Sequence, residues 1–283
     1  MKLSIIIPTI GRPTLEKVLD GIEQCEKYEE IRPEVIVVFN TGSQDSNSGT
    51  LKFQSEVETD QCKIFRSSKR GAAAARNLGI DRSTGEIIIF LGDDTIPTRE
   101  WLRQVYDFHA HHRAQKEVLL GKVSWIQELA SDPFHQWLEN HGQFDFETIA
   151  KKGPTWWHFY TSNISLKRSF IISERFSEEF SGWGFEDTEF GYRLAQKGMQ
   201  MHYDPECEVL HDHRQTLEGF LEATKNARKN AAVFERLHPE IKILPRGLKL
   251  LALKMTIILA QLLPDSPQRK WWINWKKAWT EKE

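Results

Sequence analysis

The sequence predicts an α/β fold with a mostly parallel central sheet, flanking helices and a helical region at the C-terminal end. Two observations carry this prediction. Apolar runs rich in β-branched residues recur at positions 3–7, 34–39 and 86–91, and stretches with helical spacing separate them. Short buried strands that alternate with helices are typical of a parallel sheet. A chain of 283 residues can bury a substantial core of this kind.

Polar loops follow the three predicted strands. A helix is predicted over residues 14–28, after the first loop, because its apolar residues fall on one face. Ligands of open α/β sheets bind beyond the carboxyl ends of the strands, so we expect the loops to form one crevice that holds a nucleotide. The candidate residues are Pro8, Thr9, Gly11 and Arg12 after the first strand, Asn40 and Asp45 after the second, and Asp93 and Asp94 after the third.

Composition and charge exclude several classes of protein. The formal net charge is -2, from 38 Lys and Arg against 40 Asp and Glu, which lacks the basic excess of a nucleic-acid-binding protein. The three cysteines are widely spaced and odd in number, which favours a reducing compartment over a disulfide framework or a zinc site. The first apolar run is too short for a signal peptide, so a cytoplasmic location is expected.

Asp93 and Asp94 are candidate metal ligands. Two carboxylates directly after a strand suit a hard divalent cation such as Mg²⁺ or Mn²⁺. Such an ion would bridge the two phosphates of a nucleotide-sugar. Taken alone, a pair of this kind is more typical of an acidic turn, here one that caps the helix beginning near Arg99.

A basic turn precedes an alanine-rich segment. Residues 66–70 read Arg-Ser-Ser-Lys-Arg, and the helix predicted after Gly71 has free backbone N–H groups at its start. Cations beside a helix N-terminus form a suitable anion site, so Arg70 and Arg76 are candidates for binding a diphosphate. The alternatives are a solvated basic turn for Arg70 and a structural ion pair for Arg76.

The strongest single motif covers residues 181–187, Ser-Gly-Trp-Gly-Phe-Glu-Asp. Glycines on both sides of Trp183 allow the backbone to bring the indole close to a ligand, and aromatic faces suit the C–H faces of sugars. A carboxylate directly after this platform can take a proton from an acceptor hydroxyl, so Asp187 is a candidate general base. The alternative is an acidic helix N-terminus favoured by the helix dipole.

Four ordered segments resemble the family 2 glycosyltransferases of GT-A fold. They are Ser4-Ile-Ile-Ile-Pro-Thr9, Gly42-Ser-Gln-Asp45, Gly71 to Gly79 and Phe90-Leu-Gly-Asp-Asp94. The resemblance spans residues 3–215 and implies a Rossmann-like nucleotide-binding half, an acceptor-binding half, a nucleotide-sugar donor and inversion at the sugar carbon. The Gly-Trp-Gly-x-Glu-Asp motif of such enzymes implies Asp187 as the base. It also implies acceptor contacts at Trp183, Gly184 and Glu186.

The resemblance assigns the remaining candidates. The Asp-x-Asp metal motif of the family reads Gly92-Asp93-Asp94 here, so the metal is expected at Asp94, with ribose or diphosphate contacts at Asp93. His211 resembles the histidine of the family's Val-x-His segment and would complete the metal shell, with a structural histidine as the alternative. Asn40 stands where the family has an acidic residue, so a neutral amide would contact the base. A UDP-sugar is the favoured donor.

The sequence predicts a catalytic domain over residues 1–235 and a helical region over residues 236–283. Within the catalytic domain, residues 1–115 are expected to form the nucleotide-binding half and residues 116–235 the acceptor-binding half. Within the second half, residues 120–215 are aromatic, polar and irregular in pattern, which predicts loops and short elements. We therefore expect a sugar transfer that depends on Mn²⁺ or Mg²⁺, with a saccharide or a lipid-linked saccharide as the acceptor.

Residues 236–283 form an amphipathic helical region rich in Trp and Lys. Its apolar part is shorter than the roughly 20 residues needed to span a bilayer. Basic residues beside apolar and aromatic ones fit helices on the inner face of an anionic membrane. They equally fit helices packed on the catalytic domain or in a homodimer.

Two other functions stay open on the sequence. A nucleotidyltransferase shares metal-bound phosphates but needs no acceptor base, so the Gly-Trp-Gly motif argues against it. A non-catalytic sugar-binding protein of the same fold would account for Gly92 and Asn40, where the family has carboxylates.

Overall fold

The computed structural model describes residues 1–26, 31–40, 57–58, 62–141 and 144–280. These ranges contain nine strands and ten α-helices. The strands are β1 (Leu3–Thr9), β2 (Glu34–Phe39), β3 (Val57–Glu58), β4 (Cys62–Arg66), β5 (Ile87–Leu91), β6 (Thr95–Pro97), β7 (Glu117–Trp125), β8 (Asn163–Lys167) and β9 (Gln200–His211). The helices are α1 (Thr14–Gln24), α2 (Ala72–Arg82), α3 (Trp101–His111), α4 (Gln127–Ala130), α5 (Pro133–His141), α6 (Phe146–Lys152), α7 (Glu186–Gln196), α8 (Leu217–Leu237), α9 (Gly247–Gln261) and α10 (Pro267–Thr280).

The nine described strands join one sheet in the order β3-β4-β2-β1-β5-β8-β7-β9-β6. Strands β4, β2, β1 and β5 pair in parallel, which confirms the arrangement predicted for the three apolar runs. Strand β8 is antiparallel to both β5 and β7, whereas β7 and β9 are parallel to each other. The result is a parallel centre that continues into a mixed half.

The prediction of irregular structure over residues 120–215 is wrong for two segments. Strand β7 has nine residues and β9 has twelve, and they pair along most of their lengths. Strand β9 lies next to the short edge strand β6, so many of its side chains are only partly buried. Polar residues therefore interrupt its apolar pattern and hide the strand in the sequence.

Apolar side chains cover both faces of the parallel strands, as expected of strands enclosed by helices. In β1, Ile5 and Ile7 belong to one apolar cluster, which α1 and α3 cover. Ile6 points the other way, into a second cluster that contains residues of α2 and α7. Helix α2 approaches β1 closely at Gly79, where an added Cβ would collide with Ile6.

Helix α1 ends at Gln24, four residues before the predicted end. Cys25 is extended, with φ -57° and ψ 140°, and the N–H of Glu26 donates to the carbonyl of Arg99 at 2.6 Å. The backbone groups that a longer helix would use are therefore bound to the loop before α3. That loop lies far away in sequence, so the 3.6-residue pattern does not reveal the stop.

The C-terminal helices pack in layers, with α10 against α8 and α9 against α10. Trp271, Trp272 and Trp275 of α10 join a buried cluster that includes Trp137 of α5 and Phe220 of α8. These three tryptophans therefore pack on the rest of the protein. Neither α9 nor any other helix in the described part of the chain has the length and apolarity needed to cross a membrane.

Candidate active site

Strands β1 and β5 are parallel neighbours, so the loops at their carboxyl ends meet. Thr9 donates its hydroxyl hydrogen to Oδ2 of Asp93 at 2.7 Å, and the N–H of Gly11 donates to Oγ1 of Thr9 at 2.9 Å. Gly11 has φ +89°, a conformation that favours glycine. Arg12 follows, and its Nη1 lies 3.6 Å from Oδ1 of Asp93 and donates a hydrogen bond to Asp94.

Asp94 also faces His211. Strand β6 pairs with β9 so that Thr95 lies opposite His211, and this register brings Nε2 of His211 to 3.4 Å from Oδ1 of Asp94. The imidazole stacks on Trp125 with a centroid distance of 4.8 Å. Its Nδ1 is buried and has no hydrogen-bond partner among the described residues. The structure thus brings together the two residues predicted to hold a metal.

The two neighbouring carboxylates differ in their electrostatics. Burial and the charge of Asp94 raise the pKa of Asp93, against the opposing effects of Arg12 and the Thr9 hydroxyl. Burial alone would also raise the pKa of Asp94, but the hydrogen bond and charge of His211, together with Arg12, lower it overall. Asp94 is therefore the more readily ionised of the two and the better cation ligand.

Asn40, the residue directly after β2, is tied by its backbone to the end of β1 and to the start of α2. The N–H of Asn40 donates to the carbonyl of Thr9 at 2.9 Å, and the N–H of Gly71 donates to the carbonyl of Asn40 at 3.4 Å. Pro8 is buried within β1, and Arg70 is exposed just before α2. Asp45, predicted to contact the nucleotide, lies outside the described residues.

Asp187 lies in the first turn of α7 and is partly buried. Its Oδ1 accepts from the N–H of Thr188 at 2.8 Å, and its Oδ2 accepts from the N–H of Thr161 at 3.5 Å. Burial and the neighbouring Glu186 carboxylate raise the pKa of Asp187 to about 6, against the lowering effect of Arg76. A carboxylate with such a pKa exchanges protons near neutral pH, as a general base requires.

Phe185 precedes this turn in a left-handed backbone conformation, with φ +74°. Bulky residues adopt this region at a cost of about 1–3 kcal/mol, and functional sites are where such cost is usually retained. Its ring packs edge-on against Trp157 and against Phe234 of α8. Packing on α8 thus holds the turn that starts α7 and carries Asp187.

Arg76 and Glu186 form an ion pair, with Nη1 of Arg76 3.0 Å from Oε1 of Glu186. Both side chains are nearly buried, and the guanidinium also lies over the ring of Phe176. Oε2 of Glu186 and Nε of Arg76 are buried without hydrogen-bond partners in the described structure. The structure therefore joins a residue predicted to bind the diphosphate to one predicted to bind the acceptor, and each keeps an unused polar atom.

One short segment connects the two carboxylate groups. The N–H of Thr161 donates to Asp187, and the carbonyl of the next residue, Ser162, accepts from the N–H of Gly92 at 3.4 Å and from the hydroxyl of Thr95 at 3.2 Å. Adjacent residues thus contact the loop of Asp93 and Asp94 on one side and Asp187 on the other. The two carboxylate groups are therefore neighbours in the structure, one on each side of residues 161–162.

A sequence model of glycosyl transferase family 2 matches residues 4–173, more than half of the chain. The chain belongs to glycosyl transferase family 2. A second model, for the N-terminal domain of galactosyltransferase, matches residues 158–214, which include Asp187 and His211. The family predicted from the four ordered motifs is confirmed.

Curated relatives of this family 2 chain carry glycosyltransferase names. Validoxylamine A glucosyltransferase from Streptomyces hygroscopicus is 24% identical over 273 residues, covering 84% of this chain and 61% of the relative. GalNAc(5)-diNAcBac-PP-undecaprenol beta-1,3-glucosyltransferase from Campylobacter jejuni is 26% identical over 218 residues, covering 71% of this chain and 62% of the relative. The chain thus spans about six tenths of the length of these relatives.

A solved structure shares the fold of the family 2 chain. The mannosyltransferase PcManGT from Pyrobaculum calidifontis, in complex with GDP-Man and Mn²⁺, matches with a TM-score of 0.63 at 16% sequence identity. The match covers 98% of this chain and 84% of that one. The likeness confirms the GT-A fold with helices flanking the central sheet.

The two residues expected to bind a metal, Asp94 and His211, lie next to each other. Across the described residues, no group of three or more His, Cys, Asp or Glu side chains is arranged to hold a metal ion. Asp94 and His211 nevertheless fit the chemistry of a divalent cation, because one is an ionised carboxylate and the other an imidazole next to it. A pair suits an ion that takes its other ligands from substrate phosphates and water.

One residue of the family 2 crevice was not predicted from the sequence. Asn230 of α8 is buried, and its Nδ2 lies within hydrogen-bond distance of the carbonyls of Ser181 (2.9 Å), Trp183 (3.3 Å) and Gly184 (2.8 Å). Its Oδ1 accepts from the N–H of Ser181 at 3.2 Å. These hydrogen bonds hold the backbone on both sides of Trp183, whose indole is 45% exposed. In the sequence, Asn230 could have been recognised as an amide on the otherwise apolar face of a predicted helix, because a buried amide needs hydrogen-bond partners.

Proposed function

We propose that the chain transfers a sugar from a nucleoside diphosphate donor to a hydroxyl of a saccharide or lipid-linked saccharide, with inversion. The observation that carries this proposal is Asp187, a partly buried carboxylate with a pKa of about 6. It is connected to the loop of Asp94 through Thr161 and Ser162, and it follows the exposed Trp183 by four residues. A metal-and-phosphate site and an acceptor base in one crevice fit a displacement at the sugar carbon.

Asp187 removes the proton of the acceptor hydroxyl while the oxygen of that hydroxyl attacks the anomeric carbon of the donor sugar. The bond between that carbon and the diphosphate oxygen breaks on the opposite face, which inverts the configuration and releases the nucleoside diphosphate. Glu186, held by Arg76, and the Trp183 indole orient the acceptor. The Asn230 hydrogen bonds support this role because they fix the backbone on both sides of the indole.

Asp94 and His211 would hold Mn²⁺ or Mg²⁺. When bound, the ion supplies positive charge to the departing diphosphate. The guanidinium of Arg12 contacts both Asp93 and Asp94, which supports Arg12 as a partner for the donor phosphates, and Arg70 is our second candidate for that role. The Thr9 hydroxyl holds Asp93 in place for the ribose, and the neutral Asn40 side chain is the candidate contact to the base.

The proposed donor and acceptor functions divide along the chain, except that His211 of β9 joins Asp94 at the metal. Residues 1–115 bind the donor and 116–235 bind the acceptor, with residues 236–283 as a helical extension. The name of the Campylobacter jejuni relative specifies an undecaprenol-linked acceptor, which supports a lipid-linked saccharide as one class to test here. Uracil is the first base to test, in UDP and UDP-sugars, with guanine next because PcManGT is in complex with GDP-Man.

A thermal-shift panel tests the donor site. The purified chain is heated with nucleoside diphosphates and their sugars, each with and without Mn²⁺. A ligand at a hundredfold excess over Kd stabilises the native state by about 2.7 kcal/mol, which raises Tm by several degrees. We expect a Mn²⁺-dependent rise with one base, and its loss in Asp94→Ala. Lys151→Ala, an exposed change on α6, is the control and keeps the rise.

The remaining alternatives make different predictions. A nucleotidyltransferase would release pyrophosphate rather than a nucleoside diphosphate, and family membership argues against it. A non-catalytic sugar-binding protein would bind donor without turning it over, so wild type and Asp187→Asn would release equally little nucleoside diphosphate. A Tm that no nucleotide raises, with or without Mn²⁺, contradicts the proposed donor site.

A further inference from the structure

Helix α9 exposes an apolar surface that the rest of the chain does not cover. Ile257 is buried against the protein, whereas seven large apolar side chains of α9 and the two residues after it lie open to solvent. They are Leu248 (83% exposed), Leu251 (57%), Met255 (48%), Ile258 (52%), Leu259 (55%), Leu262 (78%) and Leu263 (60%). Contiguous apolar surface of this kind marks an interaction site.

These seven residues form one stripe. At about 100° per residue, positions 248, 251, 255, 258, 259, 262 and 263 fall within an arc of about 140°. Ile257 lies on the opposite side, where α9 packs against α10. The helix therefore has an inner face that holds it to the protein and an outer apolar face without a protein partner in the described structure.

Lysines border the stripe on both sides. Lys249 and Lys254 are exposed, and each lies about 40° beyond one edge of the apolar arc. Helix α9 contains no Asp or Glu. Residues 241–280 hold eight Lys or Arg and one Asp, a formal charge of +7, although the whole chain has a net charge of -2. Positive charge is thus concentrated around the apolar stripe.

We propose that α9 is a peripheral anchor that lies in the surface of an anionic phospholipid bilayer. The stripe enters the boundary between headgroups and acyl chains, and Lys249 and Lys254 extend from its edges to the lipid phosphates. At a rise of about 1.5 Å per residue the helix is about 22 Å long, too short for the roughly 30 Å hydrocarbon core, so it lies parallel to the surface.

A second copy of the chain fits the stripe less well. A two-fold interface would set the lysine-bordered stripe of one α9 against that of the other. The four lysines would then meet without an acidic side chain from either helix to pair with them. An anionic lipid surface supplies the missing negative charge along the whole length of the helix.

Vesicle co-sedimentation of the full chain tests the anchor. The chain is mixed with vesicles of phosphatidylcholine alone or with phosphatidylglycerol added, and we expect retention by the anionic vesicles that weakens as salt rises. Ile258→Asp reduces binding at least tenfold, because a carboxylate would enter the bilayer boundary. Ile172→Asp is the matched control, since Ile172 is also 52% exposed but lies away from α9.

A pair of charge variants tests the lysines separately. Lys249→Gln with Lys254→Gln weakens binding to anionic vesicles roughly 30-fold, from ~1 kcal/mol per surface lysine. Lys151→Gln with Lys152→Gln removes the same charge from α6 and leaves binding unchanged. Circular dichroism checks that all variants remain folded.

Three results would overturn the anchor: equal binding of Ile258→Asp and Ile172→Asp, equal binding of the chain to neutral and anionic vesicles, or a dimer without vesicle binding that Ile258→Asp dissociates. The assay contains no donor or acceptor, so its outcome does not depend on the proposed sugar transfer.

Discussion

At the scale of single residues, Asp187 carries the chemistry that we propose. Replacing it with Asn keeps the shape and removes the proton acceptor, so we expect transfer to fall by about 10²–10⁴-fold with donor affinity unchanged. Turnover is measured as release of nucleoside diphosphate in the presence of acceptor, and donor affinity by thermal shift. Wild-type turnover in Asp187→Asn would remove Asp187 from the role of base.

The pH dependence of Tm shows whether Asp187→Asn remains correctly folded. The pKa of Asp187 is raised from 3.8 to about 6 in the folded protein, so its ionised form costs stability once the pH exceeds the unfolded value. Asp187→Asn should therefore raise Tm at pH 7 and above. The gain should shrink between pH 6 and 4 and vanish below. A lower Tm at pH 7 would mean that the substitution damages the fold.

The raised pKa of Asp187 also predicts the pH dependence of transfer. A base acts when deprotonated, so kcat/KM for the acceptor should fall about tenfold per pH unit below 6 and level off above it. Glu186→Gln removes a negative charge that raises this pKa, and should shift the acidic limb to lower pH. Donor binding followed by thermal shift over the same pH range separates this limb from loss of the donor. An unshifted limb in Glu186→Gln would contradict the coupling.

At the scale of secondary structure elements, helix α8 positions the loop of the acceptor side. Asn230→Ala leaves the carbonyls of Ser181, Trp183 and Gly184 without their donor, which costs about 1–3 kcal/mol of stability. It also loosens the indole platform, so we expect a rise of tenfold or more in acceptor KM with donor affinity unchanged. Lys225→Ala, at an exposed position of the same helix, is the control. Equal acceptor kinetics in the two variants would limit Asn230 to a structural role.

The parallel strands and the candidate residues of the crevice were predictable because they depend on local patterns. Apolar runs of five or six residues specify buried strands, and the ends of parallel strands must meet. The Gly-Trp-Gly segment marks its own turn through its glycines. These features need no knowledge of distant contacts.

Contacts between residues far apart in sequence did not follow from local patterns. The pairing of His211 with Asp94 was expected only from the resemblance to the family, and the register of β6 against β9 that produces it was not predicted. The pairing of Arg76 with Glu186 joins residues 110 positions apart. Asn230 belongs to the site because α8 packs over the turn that starts α7. A single sequence gives the residue types at these positions but not their partners.

At the scale of the whole molecule, an aromatic cluster joins the crevice to the C-terminal helices. His211 stacks on Trp125, which belongs to the same buried cluster as Trp137. Trp137 in turn contacts Trp271 and Trp275 of α10, at centroid distances of 6.0 and 5.9 Å. The packing is continuous from the candidate metal ligand to α10. Helix α10 should therefore stabilise the catalytic domain, although α9 presents its outer face to solvent.

This continuity predicts that the C-terminal helices and the catalytic domain unfold together. Trp275→Ala should lower the free energy of unfolding by about 3 kcal/mol, because it removes a large side chain from the cluster. Leu248→Ala should change it by less than about 0.5 kcal/mol, since Leu248 is 83% exposed. Urea unfolding followed by circular dichroism gives both values. One transition in each variant fits a single cooperative unit, since a shared apolar core couples the two regions. A separate early transition in Trp275→Ala would instead make residues 236–283 an independent unit and separate α10 from the stability of the crevice.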